Sequence, residues 1–389
     1  MVKKSNFTSL KNFYAIWIID CAVKFAFTIF SFFSLPGIKN SVTKRYLIIE
    51  FAHLGDALML TPAIRLLKKE REDSEIYCLV SSSAAKALEN SPFISQINII
   101  DLPWYEDEKL FSLKTIIKFL ELIRQIKKIN AETVINFRST SYHFEHLAMW
   151  FAGVPNRIGF SHKGFGYLLT KQIDFKRNTL IAQQKVNIIE TLLYVQNSFN
   201  LRPDYFIKDE SKITGNILYN SLQLNESKRK IGINIGAQHN FLWPQEYWVE
   251  LLNKLNSLDV ELVLLGTKNF LQQYNDIKSK LNFTVYPLVG KTTLDELAFI
   301  LTKLNLLVTI DTGVRHIANA LSLPTIVLRN GANSIGEFGK YVETEEMLFN
   351  KVSCSPCGKS ICPFNTIECM TGITPEKVFA QVKIMLNEK

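Results

Sequence analysis

Several familiar signatures are missing from this 389-residue chain, and each absence removes a class of function. There is no Walker-type phosphate loop and no G-x-G-x-x-G, so ATPase and dinucleotide dehydrogenase readings lose their main support. No Asp-x-Asp occurs, the pair through which many transferases hold a nucleotide diphosphate by way of a divalent metal. A diphosphate here would be neutralised by helix N-termini and side chains instead. No Lys/Arg run is long enough to form an arm and no RNA-binding aromatic motif is visible, so nucleic acid is not the expected partner despite a net charge of +9. Nor is there an uninterrupted apolar stretch of about 20 residues, the length a spanning helix needs. The apolar, aromatic segment from Phe13 to Leu35 is broken by Asp20 and Lys24, four apart as a helix ion pair would be. No small-x-small site follows it, which argues against a cleaved signal peptide. No internal repeat is apparent.

What is present is ordinary globular material, 47% hydrophobic and 21% charged, in a chain long enough for two domains. The basic balance suits a surface resting on anionic lipid or receiving a phosphorylated substrate. Residues 1–40 hold the apolar segment. It reads as a helix lying in a membrane interface with Phe and Trp inserted, the alternative being a helix packed on the first domain.

From residue 41 strands alternate with helices, which implies a parallel sheet covered on both faces. Arg45–Phe51 is a strand, Thr61–Arg71 a helix, Glu75–Val80 a strand, Leu110–Ile129 a long amphipathic helix and Glu132–Phe137 a strand. The first doubly wound domain spans 41–205, and a polar stretch, 206–229, is the linker candidate. The alternation restarts at Lys230 and runs through a second domain, 230–375, with a C-terminal helix over 376–389. Within it Thr293-Leu294-Asp295-Glu296 has the form of a capping box.

The chemistry concentrates at strand ends. Leu47-Ile48-Ile49-Glu50 runs into His53-Leu54-Gly55-Asp56, a turn at the carboxyl end of a strand, where ligands of open α/β sheets bind. Asp56 is either a helix N-cap or a general base taking a proton from a hydroxyl nucleophile; Gly55 and His53 flank it on the acceptor side. Later, Leu306–Ile310 runs into Asp311-Thr312-Gly313, whose amides and hydroxyl suit a phosphate, with His316 one turn on. Gly236-Ala237-Gln238 forms a second turn of this kind, and Pro244 suits the first position of the helix after Trp243. Four of the six cysteines cluster: Cys354, Cys357, Cys362 and Cys369. They fit a structural metal site, free thiols or a pair of disulfides, in each case structural rather than catalytic.

In this order the motifs resemble the family-nine glycosyltransferases, the heptosyltransferase group that builds the inner core of bacterial lipopolysaccharide. The resemblance is carried by Leu54-Gly55-Asp56 with Thr61-Pro62-Ala63, by Asn156-Arg157-Ile158-Gly159-Phe160, and by Gly236-Ala237 with Trp243-Pro244. Leu264-Leu265-Gly266, Gly290-Lys291-Thr292, Asp311-Thr312-Gly313-x-x-His316 and the cysteine cluster complete it. It implies the GT-B architecture, two Rossmann-like doubly wound domains facing across a cleft. It also implies inverting transfer, without a catalytic metal, from a nucleotide-diphosphate sugar (typically ADP-heptose) to a lipid-linked glycan, on the cytoplasmic face of a bacterial inner membrane. Asp56 would then be the base. Gly236, Ala237, Gln238, Lys291, Thr292, Asp311, Thr312, Gly313 and His316 would lie on the donor side.

Two departures stand out. Asn240, Phe241 and Leu242 replace the basic residue usual before Trp-Pro, and Thr267-Lys268-Asn269 lacks the Glu expected to recognise the donor ribose. They motivate an alternative, a catalytically silent sugar-nucleotide or glycan-binding relative.

Overall fold

The structure, a computed structural model, describes residues 10–31, 44–102, 112–139, 144–162, 164–196, 200–236, 242–359 and 361–387. It divides into two compact units, residues 1–177 with 181–200, and 178–180 with 201–389.

The first unit contains α1 (Leu10–Ser31), β1 (Arg45–Glu50), α2 (Leu54–Leu58), α3 (Thr61–Glu70), β2 (Glu75–Val80), α4 (Ser82–Leu88) and β3 (Gln96–Ile99). It continues with α5 (Leu113–Ile129), β4 (Thr133–Asn136), α6 (Phe144–Phe151), β5 (Asn156–Phe160), β6 (Lys171–Ile173) and α7 (Ile181–Leu193). The strands form one parallel sheet in the order β3-β2-β1-β4-β5-β6. The chain winds outward from β1 to β3, then returns to β4 and winds the other way. Its topological switch therefore lies between β1 and β4. Leu47, Ile48 and Ile49 are fully buried, as a parallel strand covered on both faces requires. Ser81 and Ser112 cap α4 and α5, each accepting a hydrogen bond from the amide three residues on.

The second unit contains α8 (Asp209–Asn220), β7 (Arg229–Asn234), α9 (Gln245–Leu255), β8 (Val260–Leu265), α10 (Leu271–Lys278), β9 (Tyr286–Pro287) and α11 (Leu294–Leu301). After these come β10 (Leu306–Ile310), α12 (Gly313–Ala320), β11 (Thr325–Arg329), α13 (Ile335–Phe338), β12 (Glu345–Phe349), α14 (Glu368–Thr371) and α15 (Pro375–Met385). Its parallel sheet has the order β12-β11-β10-β7-β8-β9, so the switch falls between β7 and β10. The capping box at Thr293 and Glu296 forms with both of its bonds. Trp243 and Trp248 are buried in an edge-to-face pair, and Trp243 Nε1 donates to Ile373 O at 2.8 Å. That anchor holds Pro244 at the N-cap with ψ 141°, so Gln245, rather than the proline, is the first helical residue.

Two local readings change. The polar stretch 206–229 is not bare connector: it holds α8, which packs on α11 where Gly215 meets the Phe299 ring. Asp20 does not turn to Lys24. It is buried, and its Oδ1 accepts from the Phe165 amide at 3.1 Å, a pairing that a buried carboxylate needs more than an exposed lysine does. Around it Ile19, Val23 and Phe27 pack against Leu147, Phe165 and Leu168, so α1 rests one face on the first unit while Trp17, Ile18 and Phe25 stay exposed. Among the described residues no helix is long and apolar enough to cross a membrane.

Candidate active site

In the first unit the polar residues collect where the sheet changes direction. Glu50 ends β1 and is buried, with Lys185 of α7 against it: Nζ donates to Glu50 Oε2 at 2.6 Å and to the Asp56 carbonyl at 2.7 Å. The lysine thus fastens the turn carrying Asp56 to the strand before it. Asp56 is not an N-cap. His53, exposed, holds that position with extended backbone (φ −80°, ψ 172°) and makes no side-chain cap bond, while Gly55 and Asp56 lie within the first turn of α2.

The Asp56 side chain is half-buried. Burial pushes its carboxyl above the ordinary carboxylate value, Glu50 adds to the rise, and Lys185, His53 and Arg138 oppose it. Arg138, just past β4 and on the far side of the switch, is buried. Burial lowers its guanidinium to about 10, against the pull of Glu50 and Asp56. The arrangement holds a proton-accepting carboxylate with a raised affinity for protons at the end of a rigid sheet, the state a general base needs.

Behind it lies Glu145 of α6, fully buried, neither carboxyl oxygen finding a partner beyond its own amide. Burial, with a smaller contribution from Glu50, pushes it up to about 8. Its native value lies above the unfolded one, so the folded state retains the proton that the unfolded chain loses above pH ~4.3. Stability from this group is present below that point and is lost as pH rises through about 8. Glu145→Gln is accordingly expected to remove this slope: melting temperatures of variant and wild type should agree near pH 4 and diverge in the variant's favour by pH 9. Parallel curves across that range would refute the buried neutral carboxyl.

In the second unit the same topological position is organised by Asn234 at the end of β7. Its Nδ2 donates to Thr309 Oγ1 on β10 at 2.9 Å, to Gly236 O at 3.3 Å and to Thr312 Oγ1 at 3.4 Å. Thr312 therefore sits at the start of α12 with its hydroxyl unspent on capping that helix, and the amide of Gly313 follows. Gly236 lies against Phe270, where an added Cβ would come within 2.8 Å of the ring. Further along the same sheet end, the Gly290 turn has φ +70°, its amide donates to Gly266 O at 2.8 Å, and the Lys268 stem packs on it. Lys291, exposed, and Thr292, half-buried, follow directly. Gly236, Lys291, Thr292, Thr312 and Gly313 thus share the carboxyl-end rim of β9, β7 and β10. Ala237 and Gln238 lie outside the described residues.

Two donor-side candidates also have partners within the protein. Both Asp311 oxygens are held by arginines, Oδ1 by Arg315 at 2.8 Å and Oδ2 by Arg329 at 2.5 Å. Burial alone would raise the carboxyl, but the two guanidinium groups outweigh it and hold it below the ordinary range. His316 is buried, stacked on Tyr341 and bonded through Nδ1 to its hydroxyl at 2.5 Å. Asp311 and His316 shape the turn from within. Sequence reasoning missed Glu50, Lys185, Arg138, Glu145 and Asn234; the signal available was a polar residue inside, or just beyond, an apolar run.

The cysteine cluster is not disulfide-bonded. All four line one cavity of about 440 Å³ with Pro363, Phe364 and Ile367, none is in a disulfide, and among the described residues no group of three or more His, Cys, Asp or Glu is placed to hold a metal ion.

Two nucleotide-fold units, each with its polar residues at a sheet switch point, make the architecture of the GT-B type. The chain belongs to glycosyltransferase family 9 (heptosyltransferase), whose family model matches residues 120–368. Lipooligosaccharide heptosyltransferase 2 of Campylobacter jejuni is 24% identical over 345 residues, covering 86% of this chain and 96% of that protein. Among solved structures, a family 9 glycosyltransferase from Veillonella parvula matches with a TM-score of 0.74 at 24% identity, covering 89% of this chain and 98% of that one. ADP-heptose lipopolysaccharide heptosyltransferase II of Escherichia coli matches at 0.66 and 19%, covering 88% and 98%. At these identities the structures establish the shared fold.

Proposed function

We propose that this glycosyltransferase moves a heptose, or a closely related sugar, from a nucleotide-diphosphate donor such as ADP-heptose to a lipopolysaccharide-core or other lipid-linked glycan acceptor. The transfer inverts the anomeric centre and uses no catalytic metal. The observation that carries this reading is Asp56 at the first unit's switch point, its carboxyl raised by burial and its turn fastened by Lys185. Asp56 takes the proton of the acceptor hydroxyl as the oxygen attacks the anomeric carbon, with Gly55 and His53 bordering the acceptor.

The diphosphate leaves from the rim of the second unit. There Thr312, the Gly313 amide and the start of α12 meet the developing negative charge, aided by Gly236, Lys291 and Thr292. Lys268, packed on the Gly290 turn, supplies a cation in place of the one missing before Trp243-Pro244. The enzyme would work at the cytoplasmic face of a bacterial inner membrane, where a lipid-linked acceptor resides.

The test is a donor panel with purified protein and lipid A-type and other glycan acceptors, products read by mass. Consumption of ADP-heptose with a matching mass gain in an acceptor is expected. Tight donor binding without turnover on any acceptor would favour the silent-relative reading instead.

A further inference from the structure

Helix α5 carries its apolar residues on the wrong side as well as the right one. Leu122, Ile126 and Ile129 are buried in the first unit's core, as an amphipathic helix should arrange them. On the opposite face Leu113, Ile116, Ile117 and Leu120 are 73%, 57%, 55% and 59% exposed. Their spacing of three, four and seven places them in one stripe over two turns. The same face continues into Arg124, Lys127 and Lys128, all exposed, while the nearby acid Glu121 is paired with Lys118 at 2.9 Å. One helix face is thus apolar for two turns and cationic for the next two.

The stripe has neighbours of the same kind. Phe119 meets Phe151 of α6 edge to face, Phe151 is itself 49% exposed and contacts Trp150, and Trp150 meets Phe27 of α1. The outward side of α1 presents Trp17, Ile18 and Phe25. A ring-to-ring path therefore links two helices that both expose large apolar side chains.

We propose that the outward face of α5, with Phe151 and the outer face of α1, is a membrane-docking surface for anionic lipid. Leu113, Ile116, Ile117 and Leu120 enter the acyl boundary, and Arg124, Lys127 and Lys128 meet the headgroups. Charge selects this occupant. The same face of a second copy offers these cations no free acid, its Glu121 being paired with Lys118, whereas an anionic bilayer offers both an apolar interior and complementary charge. The inference rests on the peripheral-membrane part of the proposed function and assigns it to particular residues, principally outside the N-terminal helix.

The experiment is co-sedimentation of the full chain with vesicles of phosphatidylcholine alone or mixed with phosphatidylglycerol. The variants are Ile116→Glu with Leu120→Glu, and Arg124→Glu with Lys127→Glu and Lys128→Glu. All five residues are surface positions, so unchanged melting curves establish that each variant is folded. Wild type should bind the anionic vesicles in a salt-sensitive way. The charge reversals should weaken that binding roughly 100-fold, and the double glutamate should weaken it comparably. Transfer to a delipidated, water-soluble acceptor should stay at the wild-type level in both variants, so a failure of docking is distinguishable from a failure of the glycosyltransfer reading. Wild-type binding by both variants, or no vesicle binding by the wild type, would overturn the proposal. So would a detergent-free dimer that the Ile116/Leu120 variant dissolves.

Discussion

Asp56→Asn is expected to lower kcat for sugar transfer by about 10²- to 10⁴-fold, the usual contribution of a positioned general base, while leaving donor affinity within a factor of two or so. The amide is nearly isosteric and keeps the backbone carbonyl through which Lys185 holds the turn, so the Lys185–Glu50 pair survives the change. What is lost is the proton acceptor alone. On the proposed assignment donor affinity rests with the second unit and should not respond, a separation that calorimetry beside a transfer assay can read. The pH profile gives an independent check. The base works deprotonated, and burial has raised its carboxyl. The wild-type rate should therefore fall on the acid side at a pH above the ordinary carboxylate range, and the residual rate of Asp56→Asn should lack that limb. A variant transferring at the wild-type rate would remove Asp56 from the mechanism.

The second large effect is structural. Arg315 is fully buried and donates to Glu345 through both Nε and Nη2 at 2.9 and 2.7 Å, to Asp311 at 2.8 Å and to the Phe338 and Gly339 carbonyls. Glu345 is wholly buried, with Asn319 as a further donor at 2.5 Å. Truncating Arg315 to Ala leaves that carboxylate without a counter-charge in a low-dielectric interior. Breaking one side of a buried pair costs about 3–5 kcal/mol. For a unit of this size the loss corresponds to a fall of roughly 6–20 °C in Tm. Scanning calorimetry should register it, together with weaker donor binding, because the Asp311 turn that presents Thr312 loses its inner support. A shift below about 1 kcal/mol would mean that Arg329 alone suffices to hold Asp311, and that the buried network contributes little.

The two switch-point strands were legible because their chemistry is redundant. Leu47-Ile48-Ile49 and Leu306-Leu307-Val308 are buried on both faces, and such runs have few other uses. The direction of side chains was not legible. Asp311 reads as a ligand-facing carboxylate until Arg315, four residues on, and Arg329, at the end of the adjacent strand, are seen to claim both of its oxygens. The i,i+4 spacing of Asp311 and Arg315 was visible; that Arg329 arrives from β11 depends on sheet order, which no local pattern encodes. His316 illustrates the same limit, since Tyr341 comes from beyond α13. Lys185 could have been flagged as the lone cation of α7, yet its partner Glu50 lies 135 residues away. The weak strands, β6 with three residues and β9 with two, are too short to give a period, and α6 buries its Glu145 and His146 beside its apolar residues, so it has no polar face to reveal one.

The most direct test of the account follows the anomeric centre through one turnover, by NMR on the product formed from ADP-heptose with a chelator present throughout. Attack by a single hydroxyl activated by Asp56, with the diphosphate leaving from the opposite side, predicts complete inversion and no dependence on divalent metal. A product of retained configuration, or transfer that stops when metal is removed and resumes when it is restored, would contradict it.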